Sequence, residues 1–439
     1  MKRFSWAKAL LIAAAVTLLP GFCQADYEYI DITNPVLRQI PLAVPIFKSM
    51  TPNDTENKMA QEGADLLSNT LAFTGYFKIL DRGAFLEDPR TAGIVSPPLK
   101  FSNWTAISAE LLVTGGISVS DNLLEMELRL YDTFKGQLLV GKRYTGYLAD
   151  MRKIILRFCS EVMFQLTGNM GIFSSKIAFV STGSKNKEIF TCDFDGYDPV
   201  QLTQTHSITL SPAWSSDGNW IAYTSFAKGK PDLYIRHITE NRGAIVAKNG
   251  INITPAWMPK QLKLAATLSF SGDQEIYLLT GSGEIIKKLT SVGGIAVSPS
   301  WSPDGRQIAF VSNQSGTPQI YVKDIDGEAV RRITFEGKYN TSPSWSPRGD
   351  KIAYESRDGN FNIRVIGVDG TGPYQLTQGA GDNESPSWSP DGSLIAFSST
   401  REGQSRIYVM TANGMEQRRL LTLSGEQTNP SWSPSLTPK

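Results

Sequence analysis

The sequence predicts a small α/β domain followed by an all-β, six-bladed β-propeller closed by its own C-terminal strand. Three observations carry this. Six Trp residues of a Ser/Thr-Pro-x-Trp phrase or its near copy, Trp214, Trp257, Trp301, Trp345, Trp388 and Trp432, are spaced by 43, 44, 44, 43 and 44 residues. The Ala of an Ile-Ala-Phe phrase keeps the same beat at Ala178, Ala222, Ala265, Ala309, Ala353 and Ala396. The array also opens on an Ile-Ala strand with no Trp strand before it, at Lys176–Val180, and ends on a Trp strand with no successor, Asn429–Pro434. A period of roughly 40 to 50 residues is that of propeller blades, small sheets that cannot bury their faces alone. The two unmatched ends make one blade, and pairing them removes the edge that a linear stack would expose.

Within each unit the order of elements follows from turn chemistry. The Trp strand leads through Ser216-Asp-Gly218, Pro303-Asp-Gly305, Pro347-Arg-Gly349 or Pro390-Asp-Gly392 into the Ile-Ala strand. Proline presets φ there and glycine accepts positive φ. A third strand such as Glu275-Ile-Tyr or Gln319-Ile-Tyr follows, then a turn at Asp193-x-Asp-Gly196, Asp324-x-Asp-Gly327, Asp369-Gly370 or Asn413-Gly414. Last comes a short Leu-Thr or Ile-Thr strand ending at Thr203, Thr290, Thr334, Thr377 or Thr422. Asp-x-Asp-Gly also opens calcium loops, but the further oxygen ligands and closing Glu are missing, so these Asp residues read as turn formers. The Trp residues read as a packing layer between blades. One unit departs from the pattern: after Trp257 the Asp-Gly turn is replaced by Lys260-Gln-Leu262.

The propeller is assigned to residues 169–439 and the preceding domain to residues 26–168, where the 44-residue period is absent. In that domain Ile40–Phe47 reads as a buried strand. A helix beginning near Asp54 carries Met59, Gly63, Leu67 and Leu71 on one stripe and stops at Gly75. Tyr76–Leu80, Leu123–Tyr131 and Gln137–Tyr144 read as strands, and residues 149–167 as a second helix burying Ile155, Phe158, Val162 and Leu166. Strands alternating with helices suggest one sheet with two or three helices.

Residues 1–25 read as a cleaved secretory signal. Lys2, Arg3 and Lys8 precede an apolar run from Ala9 to Leu19, too short to span a bilayer of roughly 30 Å. Cleavage is expected after Ala25. Cys23 raises a lipid-anchored alternative, against which Phe22 stands where a small residue is expected. Export leaves Cys159 and Cys192, either a disulfide or two buried thiols, the latter being the ordinary reading. With 43 basic and 42 acidic residues, no bulk field recruits nucleic acid or an anionic membrane.

Catalytic signatures are missing: there is no Gly-x-Ser-x-Gly elbow and no phosphate loop, and the two histidines, His206 and His237, have no nearby partners in sequence. No catalytic, cofactor-binding or metal site is expected. A binding protein is favoured, and a monomer is expected. The rival class is a propeller assisting a peptidase or carbohydrate-active enzyme.

The repeated Ser-Pro-x-Trp-Ser-Pro-Asp-Gly, Ile-Ala-Phe, Ile-Tyr and Asp-Gly phrases, with a signal, an α/β domain and six repeats, resemble the TolB-like propeller proteins of the Tol-Pal system. That resemblance implies a periplasmic protein of a Gram-negative bacterium, supporting outer-membrane integrity and envelope constriction in cell division. It implies a peptidoglycan-associated lipoprotein, Pal, at one mouth of the propeller. It also implies the inner-membrane protein TolA at the mature N-terminus, which here is Asp26, Tyr27, Glu28, Tyr29, Ile30, Asp31, Ile32 and Thr33. This stretch alternates, so it suits addition to a partner's sheet edge, and equally an edge position in its own domain. For the mouth, the loops entering the Trp strands supply the candidates Asn252, Thr254, Val297, Ser298, Asn340, Asn383, Glu384 and Asn429, whose other reading is strand-entry capping.

Overall fold

The computed structural model describes residues 38–51, 53–95, 99–379 and 381–436. The signal sequence and the Asp26–Thr33 segment lie outside these residues.

The first domain is a mixed sheet with helices. Strands β1 (Ile40–Ala43), β2 (Lys48–Ser49), β3 (Phe77–Ile79), β4 (Leu111–Ser120), β5 (Leu123–Asp132) and β6 (Gln137–Tyr147) are arranged β3-β1-β4-β5-β6, with β2 also on β4. β1 runs parallel to both β3 and β4, whereas β4, β5 and β6 form an antiparallel meander. The expected strand over Ile40–Phe47 is shorter: it breaks after Ala43 and pairing resumes at Lys48, with Pro45, which has no N–H for a ladder, in the gap. β4 was not foreseen. Helix α1 (Asp54–Phe73) starts at Asn53, whose side chain accepts the Glu56 N–H, and its buried stripe includes Met59, Gly63, Leu67 and Leu71. α2 (Pro89–Ala92) and α3 (Phe101–Ala106) are short, and α3 places Trp104 in a core with Ala43, Leu112 and Tyr131. α4 (Met151–Thr167) packs on α1 and β6 and ends at Gly168 with φ of 73°. Gly115 of β4 is required by close approach, since a Cβ there would lie 2.5 Å from the Phe47 ring.

Glu56 shows how this core tolerates a charge. It accepts hydrogen bonds from Ser49 Oγ at 2.7 Å, Thr51 Oγ1 at 2.6 Å and the Val119 N–H at 2.8 Å, tying α1 to β2 and β4. Burial pushes its pKa up, but these bonds outweigh burial and hold it below the ordinary carboxylate range.

Among the described residues the rest of the chain forms six four-stranded antiparallel sheets. Blade 1 joins Lys176–Ser181, Glu188–Asp193 and Val200–Gln201 to the C-terminal Gln427–Trp432 as its inner strand, in the register Gln427↔Ser181 and Trp432↔Ile177. Blades 2 to 6 begin with the inner strands Thr209–Trp214, Asn252–Trp257, Ala296–Trp301, Asn340–Trp345 and Asn383–Trp388. Each inner strand is in contact with the inner strands on either side, so the ring closes around an axial channel. Despite its altered turn, blade 3 keeps four strands, and it buries Met258 where the other units have a Ser after the Trp.

The Trp residues are almost fully buried and join blades in two ways. Their rings pack into inter-blade cores, Trp301 with Ile276 and Leu278 of blade 3 and Phe310 of its own. Their indole N–H groups also reach across: Trp257 Nε1 donates to Ala213 O at 3.1 Å, Trp301 to Ala256 O at 3.0 Å, Trp388 to Ser344 O at 3.0 Å and Trp214 to Ser431 O at 3.1 Å. Trp345 turns instead to Gly349 O of its own blade, while its backbone N–H takes the Ser300 hydroxyl of the previous one. Trp301→Ala is therefore expected to cost about 3–5 kcal/mol and Trp301→Phe, which keeps most packing but loses the donor, roughly 1–2 kcal/mol. Denaturant unfolding of the two variants checks this order.

The threonines ending the units also have a shared task. Thr203, Thr290 and Thr334 each accept the N–H that opens the third strand's apolar run and donate to a buried side chain beside it, Glu188, Glu275 and Gln319. Turn aspartates behave likewise: Asp304 accepts from Ser302 Oγ and Arg306 N, and Asp391 from Ser389 Oγ and Ser393 N. Cys159 and Cys192 are buried free thiols, and burial pushes both pKa values up. His237 is buried at a strand end, where its Nδ1 accepts the Glu240 N–H and its ring meets Trp220 edge-on at 4.9 Å.

The first domain sits on the face of the ring that carries the turns after the first and third strands. Arg152 of α4 donates to Asp195 at 2.8 Å and stacks over Tyr197 at 4.1 Å, in the third-strand turn of blade 1. Phe73 meets Phe194 edge-on at 5.4 Å, and Arg418 of blade 6 stacks over Phe73 at 4.0 Å. Arg348, in the first turn of blade 5, donates to Tyr76 Oη at 3.4 Å. The opposite face, where the inner strands begin, carries no part of that domain in these contacts.

Candidate functional site at the propeller mouth

Each inner strand has one pattern over its six residues: first residue buried, second and third half-buried, then a buried Pro, a half-buried fifth residue and the buried Trp. The second and third positions stand at the end of the ring where the inner strands begin, its mouth, while Val297, Ala213 and Ala256 also pack against the cores between blades. Pairing with the next strand slips between the second and fifth positions in all six, a β-bulge. At the third position the backbone is left-handed in every blade: Ser211 (φ 51°), Thr254 (49°), Ser298 (54°), Ser342 (49°), Ser385 (55°) and Asn429 (49°). Asparagine tolerates this region; a β-branched Thr is strained there, at a cost of order 1–3 kcal/mol. The slip puts these hydroxyl residues and Asn429 at the same place in every blade. Neighbouring blades support them: Thr254 N donates to Thr224 Oγ1 at 3.3 Å, Ser385 N to Glu355 Oε1 at 2.5 Å, and Asn429 Nδ2 to Ser385 Oγ at 3.0 Å.

The candidates from sequence divide along this pattern. Thr254, Val297, Ser298, Glu384 and Asn429 occupy second and third positions of the mouth, although Thr254 is also bonded to Thr267 Oγ1 at 2.9 Å. Asn252, Asn340 and Asn383 are first-position residues with buried side chains. Asn252 Nδ2 donates to Asp232 Oδ1 at 3.1 Å and Lys248 O at 2.9 Å, and Asn340 Nδ2 to Gln319 Oε1 and Glu336 O, both at 2.8 Å. Asn383 Oδ1 accepts from Ser399 Oγ and from Arg401. These three brace the strand entry, the capping role the sequence also allowed, and support the mouth from behind.

Sequence reasoning missed Glu355. It stands at the fifth position of a blade's second strand, where the others have Val180, Thr224, Thr267, Val311 and Ser398. Being the one charge in that column was the available signal. Its carboxylate is almost wholly buried and accepts from Thr341 Oγ1 at 2.9 Å as well as from Ser385 N. Burial raises its pKa, opposed by hydrogen bonds from Ser385, Ser342 and Thr341. Burial, then the negative charges of Glu355 and Asp382, push Glu384 up to about 7.

A raised carboxyl pKa destabilises the fold where the group must ionise. The stability is intact below the ordinary carboxyl range and falls as pH rises toward about 7. Glu384→Gln is thus expected to stabilise the protein at pH 8.5 by roughly 1–2 kcal/mol, after allowing for a half-exposed carboxylate, and to change little at pH 4. Denaturant unfolding at the two pH values checks the difference.

Exposed apolar side chains on loops of the same face, Ile208, Phe270, Phe335 and Tyr339, extend the mouth outward. Blade 5 raises its rim: its second and third strands run on to Asp358 and Asn360, two residues beyond the usual six, and turn at Gly359 (φ 82°). Among the described residues no three His, Cys, Asp or Glu side chains come together as a metal ion would need.

The molecule is thus a two-domain propeller protein, with an α/β domain on one face of a six-bladed ring and, among the described residues, a mouth on the other that the domain does not touch. Residues 163–436 match the family model for the TolB beta propeller domain and residues 28–139 that for the TolB amino-terminal domain. The chain belongs to the TolB family. It is 57% identical over 283 residues to the Tol-Pal system protein TolB of Desulfosudis oleivorans, covering 64% of this chain and 65% of that one. It is 43% identical over 293 residues to a TolB homolog of Chlorobaculum tepidum, covering 66% of each. Both matches span just under two thirds of the relatives' own length. The crystal structure of TolB from Acinetobacter baumannii superimposes with a TM-score of 0.77 at 25% identity, covering 90% of this chain and 97% of that one.

Proposed function

We propose that this protein is a periplasmic component of a Tol-Pal envelope system. It binds a Pal-like peptidoglycan-associated lipoprotein at the propeller mouth and a TolA-like inner-membrane protein through Asp26–Thr33, and so supports outer-membrane integrity and constriction during division. The observation that carries the reading is the open mouth on the face away from the α/β domain, in a chain whose relatives are named Tol-Pal system proteins. Rigid inner strands hold the mouth's side chains, an arrangement suited to binding without ordering cost. The Asp26–Thr33 part rests on the resemblance and on the alternation of that stretch. The export reading rests on residues 1–25; no helix among the described residues is long and apolar enough to cross a membrane.

The test is direct binding of the exported protein to the soluble domain of the Pal-like lipoprotein from the same organism, by calorimetry, with and without residues 26–33. Saturable one-to-one binding that survives the truncation is expected, together with loss of TolA capture by the truncated form. No binding to the lipoprotein would remove the reading.

A further inference from the structure

The second positions of the inner strands divide the mouth into two unlike halves. Leu210, Ile253 and Val297, on blades 2 to 4, make an apolar arc; Thr341, Glu384 and Thr428, on blades 5, 6 and 1, make a polar one. Within the polar arc, the Glu384 carboxylate has no hydrogen bond or ion pair among the described residues and is half withdrawn from water. Nearby cations are engaged elsewhere. Arg357, on the raised hairpin of blade 5, lies over the Phe361 ring at 5.3 Å, and Arg401 of blade 6 lies over Tyr408 at 4.4 Å while donating to Asn383 and Ser399.

Every charged group that bears on Glu384 is negative. Glu355, on the second strand of blade 5, faces it across the blade joint, accepting from the N–H of the next residue, Ser385, and Asp382 lies in the loop just ahead of its strand. Its register partner Ser398 and the neighbouring second-position residues Thr341 and Thr428 are uncharged. An uncompensated carboxylate in such a place costs stability, and a cation brought alongside removes the cost.

Resting on the reading of the mouth as the lipoprotein's docking face, we propose that the docked segment presents a basic side chain to Glu384 and apolar side chains to Leu210, Ile253 and Val297 across the channel. Charge complementarity selects this occupant: an acidic or neutral polar segment would leave Glu384 buried and unpaired. Docking then depends on proton concentration. Acid neutralises Glu384 near pH 7 and weakens the complex; above that pH the carboxylate is charged and the complex is tight. Glu355 stays behind it as a fixed acceptor for Ser385 N.

The experiment measures binding of the lipoprotein's soluble domain from pH 5.5 to 8.5, for the wild type, Glu384→Gln and Val297→Asp. The wild type is expected to bind about tenfold more tightly at pH 8.5 than at pH 5.5. Glu384→Gln should bind weakly and equally at both, and Val297→Asp weakly at both while keeping the pH dependence. A folded Glu384→Gln protein that binds as the wild type does at pH 8.5, or a wild type whose affinity is flat with pH, overturns the inference and leaves the docking face standing. No wild-type binding at any pH overturns both.

Discussion

Deleting residues 427–439 is expected to abolish the cooperative unfolding transition of the propeller. The deletion removes the inner strand of blade 1, with its pairs to Ser181, Val180, Ala178 and Ile177, and the buried Trp432. It takes away the Ser431 carbonyl that accepts the Trp214 indole, so the joint between blades 1 and 2 loses its bond as well as its packing. Ala178, Val180 and Ile189, wholly buried beside Trp214 and Ile221, would be uncovered. Loss of one buried Trp side chain alone costs about 3–5 kcal/mol, set against a total stability of about 5–15 kcal/mol for a domain. The edge of Lys176–Ser181 that it covers would also stand open to other chains. A calorimetric scan and limited proteolysis should show a broad, low transition and ready cleavage. An unchanged melting profile would mean that the ring does not depend on its closing strand.

Replacing Thr254 and Ser298 together with Arg is expected to reduce lipoprotein binding at least 100-fold without unfolding the protein. The two residues occupy the same half-buried position on the adjacent inner strands of blades 3 and 4, at the mouth end of each strand. Their left-handed backbone is no less accessible to Arg than to Thr. The fold loses mainly the Thr254–Thr267 hydroxyl bond, about 1 kcal/mol. Two guanidinium groups would fill the entrance on its apolar side and repel a basic segment. Calorimetric titration beside a thermal melt separates the effects: a melt within a few degrees of wild type with binding lost is the expected pair of results. Retained binding would move the site to another face.

Much of the architecture was legible because it repeats. A 44-residue unit restates its strands and turns six times, and the half-units at the ends announce how the ring shuts. Even the Leu-Thr phrase, noticed only as a strand end, proved to be a hydrogen-bonding device recurring with Glu188, Glu275 and Gln319. The first domain has no repeat to average over, and there β4 was overlooked and the Ile40–Phe47 strand read too long. At the mouth, loop position and polar reach do not separate Thr254, Ser298, Glu384 and Asn429, at second and third positions, from Asn252, Asn340 and Asn383, whose buried side chains are hydrogen-bonded within the fold. One residue of shift along a strand reverses the face a side chain serves, and the bulge that sets this phase is not written in residue type alone.

What the sequence by itself determined is the ring: its number of blades, the order of strands within each, the residues that pack between them and the strand that closes it. These follow from local turn chemistry and from burial repeated at a fixed interval, both properties of the chain read in order. The tertiary structure alone decided which face of the ring the described α/β domain touches, and that Glu355 and Glu384, 29 residues apart, face each other across a blade joint. It also decided that six polar residues sit on a left-handed bulge, one in each blade. The reason is geometric: a channel is made of one short stretch from each blade, and the charge felt by any of them is set by neighbours that only ring closure brings near.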